Sequence, residues 1–249
     1  MLDRIIEPLL GEDLPLQFLS KINDPNSEEL IKDVALQFLR RGIENLKFRL
    51  FADELANEVI ITKRLRRLLN TFETDFIVNV ETLNDNDAIE GRTDIKFQVS
   101  RWKKYFVFEC KRLDGGNGLS GKYIQKGLIR FCDGKYCVDF DGSTINPERT
   151  PNFGGMIGYV VKGEISTILD DIRKRVQKTA FHENGVNFGQ ISMCPLELFE
   201  TVPYFDHSFK SKHKRVIITS SAVLNNLDDI LIYHIFFDLN PEMFSAPFA

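Results

Sequence analysis

Asp94, Glu109 and Lys111 are the residues of this chain whose types and spacing suit chemistry. They lie in the stretch Gly91–Leu113, GRTDIKFQVSRWKKYFVFECKRL. Two strand-like runs, Asp94–Val99 and Tyr105–Cys110, flank the short basic segment Arg101–Lys104, which holds the single tryptophan, Trp102. That pattern predicts a β-hairpin. Side chains alternate across a strand, so Glu109 and Lys111 share one face with Tyr105 and Val107, while Phe106, Phe108 and Cys110 point to the core. A carboxylate and an amine at one strand end, beside an aspartate from the neighbouring strand, form a donor set for a hard divalent cation such as Mg²⁺. Such ions take carboxylate oxygens and keep several waters, and a nearby lysine can orient one of those waters.

The elements that must position these residues can be read outward. Residues 1–25 read as short helical pieces broken by Gly11, Pro15 and Pro25. Asn26-Ser27-Glu28 offers an N-cap region for a helix of roughly 20 residues, with Leu30, Ile31, Val34, Phe38, Leu39 and Leu46 at helical spacing. A second helix is expected over Ala52–Asn70, ending in Lys63, Arg64, Arg66 and Arg67, which suit a helix C-terminus. Phe76–Val80 is a candidate strand and Glu81–Glu90 a polar loop. After the hairpin come the turn Asp114–Gly118, a helix over Gly121–Phe131, a loop at Pro147–Gly155, a strand at Met156–Val161 and a helix over Glu164–Thr179. Arg215–Thr219 and Ile230–Phe237 read as strands. With no Gly-, Pro- or Ser-rich linker and no repeat, the expectation is one α/β domain over 51–249 with an N-terminal helical extension over 1–50.

This order, with Asp94 in GRTD and Glu109-Cys110-Lys111 as an E-x-K element fifteen residues later, resembles the core of the PD-(D/E)XK, restriction-endonuclease-like nuclease superfamily. The helix YIQKGLIRF and the strand GGMIGYVV follow in the order of that core, and the resemblance covers about residues 50–180. Thr93 stands where the family name has proline. The resemblance implies a central mixed sheet flanked by helices and a Mg²⁺-dependent endonuclease, with Mn²⁺ as a substitute, acting on DNA before RNA. Asp94 and Glu109 would hold the metal, the Cys110 backbone carbonyl would be a further ligand, and Lys111 would serve the water and the phosphate. A glutamate from the helix before the sheet is also implied; Glu54 and Glu58 are the candidates, and Glu58 is favoured because Thr62 follows one turn later and its spacing to the sheet is shorter. Gln125 matches the helix-borne polar residue that several families place beside the metal. Compact members of the superfamily also suggest a component of a prokaryotic anti-phage system. Residues 1–50 would then pair two copies in a homodimer or dock an ATPase- or helicase-type subunit.

The charge pattern agrees with a phosphodiester substrate. Between Arg101 and Arg130 there are eight basic residues against Glu109 and Asp114, a local surplus of +6 on a chain of formal charge −4. Lys103, Lys104, Arg112, Lys122, Lys126 and Arg130 are the candidate phosphate contacts. A second basic run, Lys210, Lys212, His213, Lys214 and Arg215, adds Lys212 and Lys214. Trp102 and Tyr105 are candidates for stacking on a base. Plainer readings compete: a surface ion pair at a strand end contributes little, and basic runs are commonly solvated faces. A nuclease-like fold used as a catalytically silent scaffold, and an unrelated α/β protein with an ordinary charged cluster, both remain open.

Several chemistries are excluded. The segment Gly116–Tyr123 matches G-x-x-x-x-G-K but ends in tyrosine, where a phosphate loop needs Ser or Thr. His182, His207, His213 and His234 lack zinc-ligand spacing, and no G-x-S-x-G elbow occurs. Cys110 faces away from the charged residues, which disfavours a thiol nucleophile. The N-terminus lacks a basic segment ahead of an apolar one, no apolar run is long enough to span a membrane, and the four cysteines lack paired metal spacing. The expectation is a cytoplasmic protein with reduced thiols.

Overall fold

The computed structural model describes residues 27–71, 94–98, 105–132, 152–178, 180–183, 186–190, 200–213, 215, 217–218, 223–224 and 229–240. The expected pieces in 1–25, the strand at Phe76–Val80, the loop at 81–90 and the hairpin connection bearing Trp102, Lys103 and Lys104 lie outside these residues, as does Lys214.

A five-stranded mixed sheet forms the centre. Its order is β1 (Ile95–Gln98), β2 (Tyr105–Leu113), β3 (Phe153–Val160), β9 (Ile230–Asp238) and β6 (Ser208–His213). The pairs β1–β2 and β9–β6 are antiparallel, while β2–β3 and β3–β9 are parallel. Two small ribbons, β4 (Ala180–Glu183) with β5 (Val186–Gln190) and β7 (Ile217–Ile218) with β8 (Val223–Leu224), complete the strands. The three inner strands carry long apolar runs because both sheet faces are covered. In β3 all eight residues are buried.

Helices cover each face. On one side lie α1 (Ser27–Leu46) and α2 (Glu58–Asn70). Leu36, Leu39 and Leu46 of α1, with Ile61, Leu65 and Leu69 of α2, share a core with Phe106, Phe108, Cys110, Ile157 and Tyr159. On the other side lie α5 (Ile165–Lys178) and one continuous run of α3 (Asn117–Tyr123), a π turn (Ile124–Leu128) and α4 (Ile129–Cys132). These pack over Val107, Leu113, Met156, Val160, Ile232 and Phe236. The alternation expected in β2 is present, with Phe106, Phe108 and Cys110 on one face and Val107 on the other.

Some boundaries differ from the periodicity. The helix expected over Ala52–Asn70 is a 3₁₀ turn, Glu54–Ala56, followed by α2, because Asn57 is extended and its side chain caps Val59 N–H at 3.0 Å. The loop expected to reach Gly155 instead joins β3 at Phe153, where Gly154 and Gly155 leave room for the Phe131 and Phe108 rings. Of the segment 1–50, residues 27–46 pack directly on the sheet. Among the described residues, no helix is long and apolar enough to cross a membrane.

Candidate functional site

The site forms where β2 outruns β1. The ladder between them ends at Ile95 opposite Phe108, yet β2 continues to Leu113. Beyond that point no strand among the described residues pairs with β2 on this side, and the backbone N–H groups of Cys110 and Arg112 need partners. Two carboxylates meet them. Asp94, just before β1, accepts from Cys110 N–H at 2.7 Å. Glu58, the first residue of α2, accepts from Arg112 N–H at 2.8 Å. The N-terminus of a helix favours a carboxylate at that position.

Glu109 and Lys111 enter from β2 itself. The Lys111 ammonium lies 2.7 Å from Glu109 Oε1, 2.7 Å from the Cys110 carbonyl oxygen, 3.4 Å from Glu58 Oε1 and 3.8 Å from Asp94 Oδ2. Glu109 is 1% exposed, whereas the Asp94 and Glu58 side chains are 32% and 35% exposed. The cluster is therefore closed at the bottom and open to solvent at the top. The π turn passes directly over it: a side chain at Gly127 would collide with Met156 and meet Lys111 Cγ. One turn on, Arg130 Nη1 sits 3.1 Å from Glu109 Oε1.

The electrostatics follow from this packing. Burial, then the neighbouring Glu109 charge, pushes the Asp94 carboxyl up to about 7. Burial alone would depress Lys111, but Glu109, Asp94 and Glu58 together outweigh it and hold the ammonium well above its ordinary range. The cluster thus holds a permanent cation among carboxylates. Cys110 Sγ faces the opposite core, and burial pushes its thiol far up.

Asp94, Glu109, Lys111 and Glu58 therefore come together, whereas Glu54 is drawn to Arg64 at 2.7 Å and to Phe51 N–H at 3.1 Å. Gln125 is exposed on the π turn beside exposed Lys122 and Lys126. Arg130, expected as a phosphate contact, is bound to Glu109. The second basic run is not a continuous surface: His213 is buried because β6 alternates and turns Phe209, Ser211 and His213 inward, and Arg215, just past β6, is buried as well. Lys210 pairs with Glu200 and Lys212 with Asp229. Among the described residues, no group of three or more His, Cys, Asp or Glu side chains stands in a metal-holding arrangement. The position between the carboxylates is taken by the ammonium.

Sequence reasoning missed a second polar group on the same sheet face. Tyr123 Oη lies 2.9 Å from His234 Nδ1, His234 Nε2 lies 2.7 Å from Ser211 Oγ, and Ser211 Oγ lies 2.5 Å from His213 Nε2. Burial pushes the His213 imidazole down to about 3 and the His234 imidazole well below its ordinary range, so both are neutral. The alternation of Phe209, Ser211 and His213 was the available signal. No family model, no curated protein and no solved structure matches this chain.

Proposed function

We propose that the chain is a metal-dependent nuclease that hydrolyses phosphodiester bonds, with DNA as the substrate and Mg²⁺ as the ion. The observation that carries this reading is the convergence of Glu58, Asp94 and Glu109, from three separate elements, around one cation at the open end of β2. The donor set suits a hard ion: it is all oxygen, three carboxylates and the Cys110 carbonyl, and its own occupant is an ammonium. Asp94 and Glu109 would hold the ion, with Glu58 and the Cys110 carbonyl beside them. A bound divalent ion supplies an acidified water and neutralises charge on a phosphate. Lys111, one residue beyond the Cys110 carbonyl, would be placed to orient that water and hold a phosphate oxygen. Arg130, bound to Glu109, would present its exposed edge to the substrate. Exposed Lys122 and Lys126 extend positive charge along the same helix.

The test incubates the protein with plasmid, single-stranded DNA and RNA, with Mg²⁺ or Mn²⁺, beside Asp94→Asn. Cleavage by the wild type that disappears in a folded Asp94→Asn variant supports the reading; equal cleavage by both sinks it. A second reading has its own support. Each carboxylate already has a partner within the chain, and Asp94 and Glu58 both cap backbone N–H groups, as a purely structural cluster would. A catalytically silent scaffold would neither cut nor bind Mn²⁺ in a calorimetric titration.

A further inference from the structure

The connection between α1 and α2 exposes aromatic surface that the fold does not use. Phe48 is 85% exposed and Phe51 67% exposed. Single exposed apolar residues are ordinary, but these are two phenyl rings three positions apart on a fixed scaffold. Leu46 anchors the segment in the core at one end, Leu50 packs against that core between the rings, and the Phe51 N–H is held by Glu54, itself held by Arg64. Lys47 and exposed Arg49 flank Phe48 on its 3₁₀ turn. Neither cation has an acidic partner among the described residues. The chain then runs through two short turns, Glu54 N–H to Phe51 O and Asn57 N–H to Glu54 O, to Glu58 of the carboxylate cluster. Val59, beside Glu58, is also exposed.

Exposed aromatic rings interleaved with cations suit a strand whose bases are unstacked: the rings take base faces and the cations take phosphates. A duplex keeps its base faces inside the stack and offers the rings nothing. We infer that Phe48 and Phe51, with Lys47 and Arg49, form a stacking platform for single-stranded nucleic acid leading to the Glu58–Asp94–Glu109 cluster. This deepens the nuclease reading by naming a strand with unpaired bases as the substrate class.

Binding is measured by fluorescence anisotropy with labelled dT and rU oligonucleotides and with a duplex, at fixed salt and without divalent ions. The proteins are wild type, Phe48→Ala/Phe51→Ala, Phe48→Tyr/Phe51→Tyr and Lys47→Gln/Arg49→Gln. The alanine pair is expected to lose on the order of tenfold or more in single-strand affinity, since stacking is worth about that per base. The tyrosine pair should retain it, and the glutamine pair should flatten the salt dependence. Duplex affinity should not move with the rings. Unchanged single-strand affinity in the alanine pair overturns the inference. So does a concentration-dependent dimer that the alanine pair abolishes while oligonucleotide binding persists, which would make the rings a contact between copies. The nuclease reading fails separately, on cleavage that survives Asp94→Asn.

Discussion

One face of the sheet carries two buried polar clusters built on opposite principles. At the β1–β2 edge, the Lys111 ammonium stands among Glu58, Asp94 and Glu109, Arg130 joins Glu109 from the helix, and two of the carboxyl groups still touch solvent. At the far side, Tyr123, His234, Ser211 and His213 are wholly enclosed and hold no charge at all. The chain of hydrogen bonds there ends at His213 Nδ1, which has no partner among the described residues. If Tyr123 donates to His234, the polarity runs to a His213 Nδ1–H with no acceptor; reversed, it leaves a bare His213 nitrogen and an undirected tyrosine hydroxyl. The lesson is that burial sorts polar groups by whether a countercharge is at hand. The edge cluster leaves its cation close to solvent; the sealed neutral one ties β6, β9 and the α3 helix together.

The largest break in this comparison comes from removing the central cation. Lys111→Met removes the ammonium that lies 2.7 Å from buried Glu109. Losing one member of a buried ion pair costs about 3 kcal/mol or more, so urea denaturation at pH 7 should show a loss of that size. Any cleavage should fall by at least about a hundredfold. In the neutral cluster, His234→Leu strips Tyr123 and Ser211 of their shared partner. Denaturation should show a loss of about 2 kcal/mol, while cleavage stays within about twofold of wild type; a larger fall would tie the two clusters together.

A smaller effect is expected at Arg130. Its contact with Glu109 is partly exposed, so Arg130→Lys should cost under about 1 kcal/mol of stability. Cleavage should still fall by roughly three- to tenfold, because an ammonium cannot reproduce the guanidinium fork; steady-state kinetics beside denaturation separates the two.

The smallest net effect in the wild type is a pair of opposed pH slopes. Asp94 binds its proton in the folded state up to about 7 but in the unfolded state only below the ordinary carboxylate range. The folded state therefore holds the extra proton, and this group lowers stability as pH rises from about 4 to 7. His213 is the reverse: its folded value of about 3 lies below the unfolded one. The unfolded state holds the extra proton, and stability falls as pH drops from about 6.5 toward 3. The two partly cancel in the wild type. Asp94→Asn should steepen the acid-side loss, and His213→Leu should flatten it, in denaturation curves taken between pH 4 and 7.

Much of the scaffold was legible in the sequence because it rests on short-range patterns. The alternation of β2, the apolar β3, the amphipathic α5 and the approximate extent of α1 all follow from periodicity over a few residues. The pairing of Glu109 with Lys111 is likewise local, since residues two apart on a strand share a face. Asn57 as the start of α2 and Phe153 as the start of β3 were less legible, because a cap and two sheet glycines act through single residues rather than through a repeat.

What the sequence by itself determined was that carboxylates and a lysine would meet at a strand end. Only the tertiary structure decided how they meet. β1 stops short and leaves two N–H groups on the edge, Glu58 and Asp94 cap them, the ammonium stands between the acids, and Arg130 closes over Glu109. The same holds for His213 and His234, scattered by number but joined through Ser211 once β6 and β9 pair. These contacts span up to 111 residues. Local propensity carries no information over such separations; strand register and helix packing do.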